Sequence, residues 1–288
     1  MLITFCTPTY NRVALLPILY NSLKSQTNQN FEWIIVDDGS TDGTEELVIK
    51  WKEQNSIRIR YFKQQNGGKH RAVNRGLKEA KGDLFLIVDS DDWLSPDAVE
   101  WILHNALPIM EDCSIAGISG IRISPDGRPI AKGLPETPVD TSAVSIRVDH
   151  KVTGDLVEVF KTEVFRKYPF PEFDGEKFCP EALVWNRITE KLNIRYFNKG
   201  FYISEYLPGG LTSKITKIRR ESPNATMTYY AELYHSSIPL KWKIRTAINF
   251  WRFALAPYRA EFKMLSPLSL LCAIPGTILK FKERNRVK

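Results

Sequence analysis

Residues 84–92 read LFLIVDSDD, an apolar run that ends in the three carboxylates Asp89, Asp91 and Asp92. A short continuous apolar run bounded by polar residues is typical of a strand buried on both faces. Three earlier segments are also strand-like, and each is followed by an amphipathic helical pattern. They lie at residues 2–6, 33–36 and 57–62. The N-terminal part of the chain therefore repeats a strand–helix unit.

This alternation predicts an α/β fold with a Rossmann-like, mostly parallel sheet and helices on both faces. In such sheets ligands bind outside the carboxyl ends of the strands. Polar segments follow the first, second and fourth strands, at Thr7–Arg12, Asp37-Asp38 and Asp89–Asp92. We therefore expect these three segments to lie along one edge of the sheet. The less regular residues 112–175 predict an antiparallel extension.

The later part of the chain predicts a helix from about residue 180 to 192, a strand near 194–203, and helices beyond 212. Its charge is uneven: residues 240–288 hold 11 Lys or Arg and 2 Glu, a net of +9, whereas the whole chain carries +7. Residues 1–239 therefore sum to −2. A basic, aromatic tail indicates an anionic partner, either a membrane surface or nucleic acid. The alternative is helices that pack on the rest of the protein with their charges in water.

The four cysteines, Cys6, Cys113, Cys179 and Cys272, are far apart in sequence. This spacing argues against a zinc site or a redox pair, and scattered thiols suit the cytosol. The N-terminal residues show no basic leader and no small-residue cleavage site, so no signal peptide is expected.

Carboxylates crowd at the end of the fourth strand, where Asp89, Asp91 and Asp92 would disfavour one another's ionisation if left unpaired. A divalent cation removes that conflict, and hard oxygen ligands suit Mg²⁺ or Mn²⁺. The alternative is a solvated, helix-capping loop.

Two further segments allow both a functional and a plain structural interpretation. Asp37-Asp38 could accept hydrogen bonds from a nucleotide base or ribose, or could be a turn feature. The stretch from Gly67 to Arg71 could attract phosphate through backbone N–H groups and two cations, or could be a flexible turn with a basic face. Asp42 is better explained as a helix cap, with Glu45 at capping-box spacing.

Taken together, four blocks resemble the family 2 glycosyltransferases in order and spacing. The blocks are Thr7–Arg12, Val36–Asp42, Asn66-Gly67-Gly68 with Ala72 and Asn74, and Asp89–Asp92. The resemblance is strong over about residues 1–110 and weaker to about 215. It implies a GT-A type fold that binds a nucleotide diphosphate sugar, and typically an inverting, metal-dependent transferase.

The resemblance also implies roles for individual residues. The expected base pocket is lined by Thr7, Pro8, Thr9 and Tyr10, with Asp38 holding uracil or an equivalent base and Asp37 beside it. Lys69 and Arg71 fall in the region that approaches base and phosphates. Asp91 and Asp92 would contact ribose and metal, and Asp89 completes the acidic cluster.

Inverting transfer needs a general base that deprotonates the acceptor hydroxyl. The family places this acid near the start of a helix, often as a Glu-Asp pair, and the matching residue here is Glu181. The second acid of the pair is Ala182, and Glu176 and Asp174 are the alternatives. A plain explanation of Glu181 is a favourable charge in the first helical turn.

The resemblance gives each part of the chain an expected role. Residues 1–110 would be the nucleotide-sugar binding half, 111–215 the acceptor-binding and catalytic half of the same domain, and 216–288 a helical tail at the membrane interface. The segment 206–212 resembles a late family loop near the diphosphate. A lipid-linked or glycan acceptor, as in surface polysaccharide biosynthesis, and a peripheral position at the inner face of the cell membrane are then expected.

Two other functions remain to be compared with transfer. A sugar-phosphate nucleotidyltransferase needs a Gly-rich basic loop after the first strand, where this chain has Pro8-Thr9-Tyr10-Asn11, so that class is excluded. A non-catalytic sugar-nucleotide binding or scaffold protein at the membrane stays open because Ala182 replaces an acid. Nucleic acid is not an expected partner, since the basic residues are confined to the tail and no recognised module is present.

Overall fold

The computed structural model describes residues 1–205, 211–254 and 265–284. Within them, the strands are Ile3–Thr9 (β1), Phe31–Asp37 (β2), Ile59–Lys63 (β3), Leu84–Ile87 (β4), Trp93–Leu94 (β5), Ile115–Ile123 (β6), Val139–Thr141 (β7), Leu156–Lys161 (β8) and Asn193–Ile203 (β9). The α-helices are Leu16–Lys24 (α1), Thr44–Gln54 (α2), Lys69–Glu79 (α3), Ala98–Ala106 (α4), Ser145–Val148 (α5), Thr162–Arg166 (α6), Glu181–Ile188 (α7), Leu211–Glu221 (α8), Pro223–His235 (α9), Leu240–Phe253 (α10) and Ala273–Arg284 (α11). Short 3₁₀ helices span Leu107–Ile109 and Pro267–Cys272.

The strands form one sheet in the order β3-β2-β1-β4-β8-β6-β9-β5, with β7 paired to β9. The first four strands along this order are mutually parallel. Strand β8 runs antiparallel to both β4 and β6, and β9 returns parallel to β6. The predicted α/β architecture with a mostly parallel first half is confirmed. The second half, predicted as an antiparallel extension, is mixed, because β9 runs parallel to β6.

Helices cover both faces of the parallel strands, and every position of β1 and β2 is buried. On one face Phe5 and Trp33 pack with α1, α2 and α4 in a single core cluster. On the other face Gly76 of α3 lies so close to β1 that an added Cβ would be 2.2 Å from the sulfur of Cys6. Continuous apolar strands are what a sheet covered on both sides requires.

The chain divides into two compact units. Unit one is Met1–Phe170 with Arg187–Leu207, and unit two is Pro171–Asn186 with Pro208–Lys288. The segment 171–186, expected to belong with residues 111–215, groups instead with the C-terminal helices. Unit two has its own core, in which Met227 and Tyr230 of α9 pack against Phe250 and Phe253 of α10.

One local prediction needs correction. Helix α2 begins at Thr44 after Gly43, and Asp42 accepts hydrogen bonds from the Thr44 backbone N–H and hydroxyl (3.2 and 2.6 Å). Glu45 pairs with Lys63 and so does not complete a capping box. In the tail, the predicted helices form over the described residues, whereas the loop expected at 206–212 lies largely outside them. Of the helices that the structure describes, none is long and apolar enough to span a bilayer.

Candidate active site

The polar segments that end β1, β2 and β4 meet at one edge of the sheet, as predicted. The backbone N–H of Asp38 donates to the carbonyl of Thr9 (2.8 Å), and the N–H of Asn11 donates to the Ser40 hydroxyl (2.9 Å). The Val88 N–H donates to the carbonyl of Cys6 (2.9 Å), which places the start of the acidic segment beside β1. Parallel strands bring their carboxyl ends together, so residues distant in sequence share this edge.

Asp38 is buried, and its carboxylate binds the loop that follows β3. Its Oδ1 accepts from Gln64 Nε2 (2.8 Å) and the Gly67 N–H (2.9 Å). Its Oδ2 accepts from Asn66 Nδ2 (3.1 Å) and the Gly68 N–H (2.7 Å). A carboxylate has about four lone-pair positions, so these donors fill it. Asp38 therefore organises the start of α3, a contact that its expected role with a base did not include.

The backbone at this point requires glycine in two places. Gly39 has φ of 88°, and an added Cβ would lie 3.1 Å from the backbone nitrogen of Asn66. Gly68, the residue before α3, has φ of 98°. Residues other than glycine rarely adopt a positive φ of this size. The two glycines therefore let the loops after β2 and β3 approach each other closely.

We expect Asp38→Ala to lower the free energy of unfolding by about 3 kcal/mol, because it leaves four donors without their buried acceptor. Urea unfolding followed by circular dichroism measures this. Asp126→Ala removes a carboxylate from an exposed turn and is expected to change stability by no more than about 0.5 kcal/mol. An Asp38→Ala protein with unchanged stability but weakened UDP binding would instead assign Asp38 to the base, as the family resemblance implies.

Asp37 also has partners within unit one. Its Oδ1 accepts from the Ser40 N–H (2.7 Å), and its Oδ2 accepts from the Tyr61 hydroxyl (2.5 Å). Burial, together with this hydrogen bond to Asp37, raises the pKa of Tyr61. Asp37 thus joins the turn after β2 to strand β3.

The acidic segment after β4 meets two cations from other parts of the chain. Asp89 pairs with Lys69, at the first position of α3, and lies 3.7 Å from Nη1 of Arg122 on β6. Burial acts to raise the pKa of Asp89, but the charges of Lys69 and Arg122 outweigh it and lower that pKa. Lys69, expected to approach base and phosphates, thus has the carboxylate of Asp89 as its neighbour.

Asp92 is buried and shares the same arginine. Its Oδ2 lies 3.1 Å from Nη1 of Arg122, whose guanidinium stacks 4.4 Å from the centroid of the Tyr202 ring. Burial first, and the charge of Asp89 second, raise the pKa of Asp92 to about 7. The Tyr202 hydroxyl accepts a hydrogen bond from the backbone N–H of Asp89 (2.9 Å), which fixes the turn.

Asp91 is the acid of this segment that faces outward. Like Asp89 it is half-buried, but among the described residues it has no hydrogen bond or ion pair. The same part of the chain contains no group of three His, Cys, Asp or Glu side chains that could hold a metal ion by themselves. One carboxylate still fits Mg²⁺ or Mn²⁺, because these ions are commonly held by one or two carboxylates with phosphate and water oxygens. The residues present thus suit a metal that the donor helps to bind.

The expected base pocket divides into inward and outward residues. The Thr7 hydroxyl accepts from the Trp33 indole N–H (2.9 Å), and this side chain is fully buried in the core. Thr9 is buried, and within the described residues its hydroxyl has no hydrogen-bond partner. Tyr10, by contrast, is 50% exposed. Pro8 is buried. Arg71, in the first turn of α3, is half-buried, and its side chain lies against Gly67.

The candidate bases belong to unit two. Glu181 is the first residue of α7 and is half-buried. Glu176 is buried, and its two carboxylate oxygens accept the backbone N–H groups of Asn224 (2.6 Å) and Ala225 (2.9 Å) at the start of α9. Glu176 is therefore a helix cap, which removes it as an alternative base. Asp174 is exposed.

Arg122 and Tyr202 were not predicted from the sequence. Arg122 stands between Ile121 and Ile123, and a lone cation in an apolar strand is the signal that could have identified it. Tyr202 lies in an aromatic strand with no distinguishing mark. Their partners are more than 29 residues away in sequence.

A family model for "Glycosyl transferase family 2" matches residues 4–162, which is more than half of the chain and includes β1 to β8. The chain belongs to glycosyltransferase family 2. This confirms the resemblance carried by the four sequence blocks. The relatives of this chain that are described below are named as glycosyltransferases, and the family is therefore one of enzymes.

Curated relatives support the same family. The poly(ribitol-phosphate) beta-N-acetylglucosaminyltransferase TarS of Staphylococcus aureus strain Mu50 is 33% identical over 179 residues, which is 61% of this chain and 29% of TarS. Glycosyltransferase GlyA of Streptococcus pneumoniae serotype 4 is 35% identical over 113 residues, 39% of this chain and 16% of GlyA. The chain thus spans less than a third of the length of these relatives.

Solved structures share the fold. Residues 1–349 of S. aureus TarS in complex with UDP-GlcNAc match with a TM-score of 0.64 and 20% identity, covering 88% of this chain and 71% of that one. The mannosyltransferase PcManGT of Pyrobaculum calidifontis, in complex with GDP-Man and Mn²⁺, matches with a TM-score of 0.56 and 18% identity, covering 96% of this chain and 73% of that one. At these identities the likeness concerns the fold.

Proposed function

We propose that the protein transfers a sugar from a nucleotide diphosphate sugar, with UDP as the first candidate nucleotide, to a glycan or lipid-linked acceptor. The observation that carries this proposal is the convergence of the β1, β2 and β4 ends with the cationic start of α3 at one edge of unit one. This is the place where open α/β sheets bind ligands. This edge offers both signs of charge. Lys69 and Arg122 are cations that suit a diphosphate, and the half-buried carboxylate of Asp91 suits its metal.

The relatives support the nucleotide. TarS has been crystallised with UDP and with UDP-GlcNAc. UDP-GlcNAc is therefore the first donor to test, and GDP-Man is the second because PcManGT binds it. Because TarS is named for a poly(ribitol-phosphate) acceptor, a surface polysaccharide or related glycan is the acceptor class that we propose.

The metal is part of the proposal. Mg²⁺ or Mn²⁺ bound at Asp91 would stabilise negative charge on the departing diphosphate. Asp89 and Asp92 act differently, because Lys69 and Arg122 already hold them. Their role is to fix the turn that presents Asp91.

Inversion is proposed from the family, with Glu181 as the general base. In a single displacement, the base takes the proton of the acceptor hydroxyl while the hydroxyl oxygen bonds to the anomeric carbon. The bond between that carbon and the diphosphate breaks on the opposite side. Glu181 suits this role as a half-buried carboxylate at a helix start. The competing idea of a non-catalytic binding protein rests on Ala182, which replaces the second acid of the family pair.

Isothermal titration of the full chain with UDP, GDP and dTDP, each with and without Mn²⁺, tests the donor site. We expect UDP to bind and Mn²⁺ to tighten binding by about tenfold or more, since each tenfold corresponds to about 1.4 kcal/mol. Release of UDP from UDP-GlcNAc in the presence of a glycan acceptor then tests transfer. Failure of all three nucleotides to bind would contradict the proposed function.

We also propose that the protein works at the inner face of the cell membrane as a peripheral protein. The net +9 charge of residues 240–288 supports this location, because basic residues are attracted to anionic lipid headgroups. At this location the protein would have access to an acceptor that is anchored in the membrane by a lipid.

A further inference from the structure

Unit two carries a row of exposed aliphatic side chains near the end of the described chain. The exposed fractions are 76% for Leu268, 51% for Leu270, 73% for Leu271, 70% for Ile274 and 50% for Ile278. We call these five residues the apolar ridge. They lie on the 3₁₀ helix Pro267–Cys272 and on α11, which follows it directly. Exposed apolar residues that are grouped, rather than scattered, mark an interaction surface.

The opposite side of the same two helices is packed, so the ridge is not the inner face of an incomplete core. The carbonyl of Ser269, a buried residue, accepts the indole N–H of Trp251 on α10 (3.0 Å). An added Cβ at Gly276 would lie 2.7 Å from the carbonyl oxygen of Ile248 and 2.8 Å from Cβ of Trp251. Ile274 and Ile278 lie four residues apart on one helical face, turned away from this contact.

The described aromatic residues that the sequence suggested for a membrane interface are buried or half-buried. Phe250 and Phe253 are 1% and 2% exposed and belong to the core of unit two. Trp242 and Trp251 are half-buried, and Tyr258 lies outside the described residues. Among the described residues of the tail, the most exposed apolar side chains are therefore aliphatic, and most of them belong to the ridge.

Charge indicates what covers the ridge. Residues 240–288 carry 11 Lys or Arg and 2 Glu, and Lys241 and Arg245 are exposed on α10, the helix against which α11 packs. A second copy of this chain would bring the same positive charge to the contact, which like-charge repulsion disfavours. An anionic bilayer complements both the aliphatic side chains of the ridge and the net positive charge of residues 240–288.

We propose that the apolar ridge inserts into the interface of an anionic lipid membrane, with basic residues of the same C-terminal segment bound to headgroups. This inference deepens the proposed membrane location. It does not depend on the donor site, which lies in unit one.

Co-sedimentation of the full chain with vesicles tests the proposal, using phosphatidylcholine alone and an equal mixture with phosphatidylglycerol. We expect binding to the mixed vesicles and a loss of at least about tenfold in affinity for Leu271→Ser with Ile274→Ser. Leu107→Ser is the matched control, because Leu107 is 67% exposed on a 3₁₀ helix of unit one, and it should bind vesicles as the wild type does.

The other outcomes are equally informative. Equal binding of wild type and the double variant, or no binding of wild type to mixed vesicles, would overturn the proposal. A wild-type dimer that the double variant converts to a monomer in analytical ultracentrifugation would assign the ridge to self-association instead. UDP titration of the same proteins keeps the two proposals separate, since membrane binding can fail while the donor site remains intact.

Discussion

Replacing Glu181 with glutamine is expected to lower the rate of sugar transfer by about 10²–10⁴-fold and to leave UDP affinity within about twofold of the wild type. Glutamine has the size of glutamate but cannot accept the acceptor's proton at neutral pH. Since the donor site is built from unit one, its nucleotide affinity should not depend on this carboxylate. Transfer from a UDP-sugar and calorimetric binding of UDP, measured on the same preparation, check both parts.

Two other carboxylates from the same segment serve as controls. Glu176→Gln is expected to lower the melting temperature, because it removes a charge that two N–H groups at the start of α9 bind, while the folded protein keeps its turnover. Asp174→Asn, at an exposed position, should change neither. Transfer lost in Asp174→Asn but retained in Glu181→Gln would move the base to Asp174. Transfer retained in all three variants would contradict a carboxylate base in this segment.

Replacing Asp91 with alanine is expected to abolish the effect of Mn²⁺ on UDP binding, so that affinity in Mn²⁺ falls by about tenfold or more to the metal-free value. The reason is that Asp91 is the acid of its cluster that has no ion pair within the described residues, whereas Asp89 and Asp92 are held by cations. Calorimetric titrations of UDP with and without Mn²⁺ measure the change. Wild-type metal-free affinity is the reference.

The control for Asp91 separates a ligand from a general effect of charge. Asp126→Ala removes the same charge from an exposed turn and should leave the Mn²⁺ effect intact. If Asp91→Ala still responds to Mn²⁺ as the wild type does, another group holds the ion. If the wild type binds UDP equally well without metal, then Lys69 and Arg122 are sufficient to bind the diphosphate. The proposed role of the metal in UDP binding would then be wrong.

The acidic cluster shows where reasoning from the sequence reached its limit. Three carboxylates in four positions predicted a divalent cation because nothing nearby in sequence could neutralise them. In the fold, Lys69 comes from the start of α3 and Arg122 from β6, and both cations pair with acids of this cluster. The presence of acids was readable from the sequence, but their partners were not.

The sequence by itself determined the strand–helix alternation, the sheet edge at which polar segments meet, the family, and the basic helical tail. These features depend on local periodicity, on residue type and on short motifs, all of which are visible within a few consecutive residues. Tertiary structure alone decided which donors fill the Asp38 carboxylate and that Glu176 caps α9. It also decided that, among the described residues of the tail, the most exposed apolar side chains are aliphatic rather than aromatic. Each of these depends on which distant segments the fold brings within hydrogen-bonding or packing distance, and no local pattern encodes that choice.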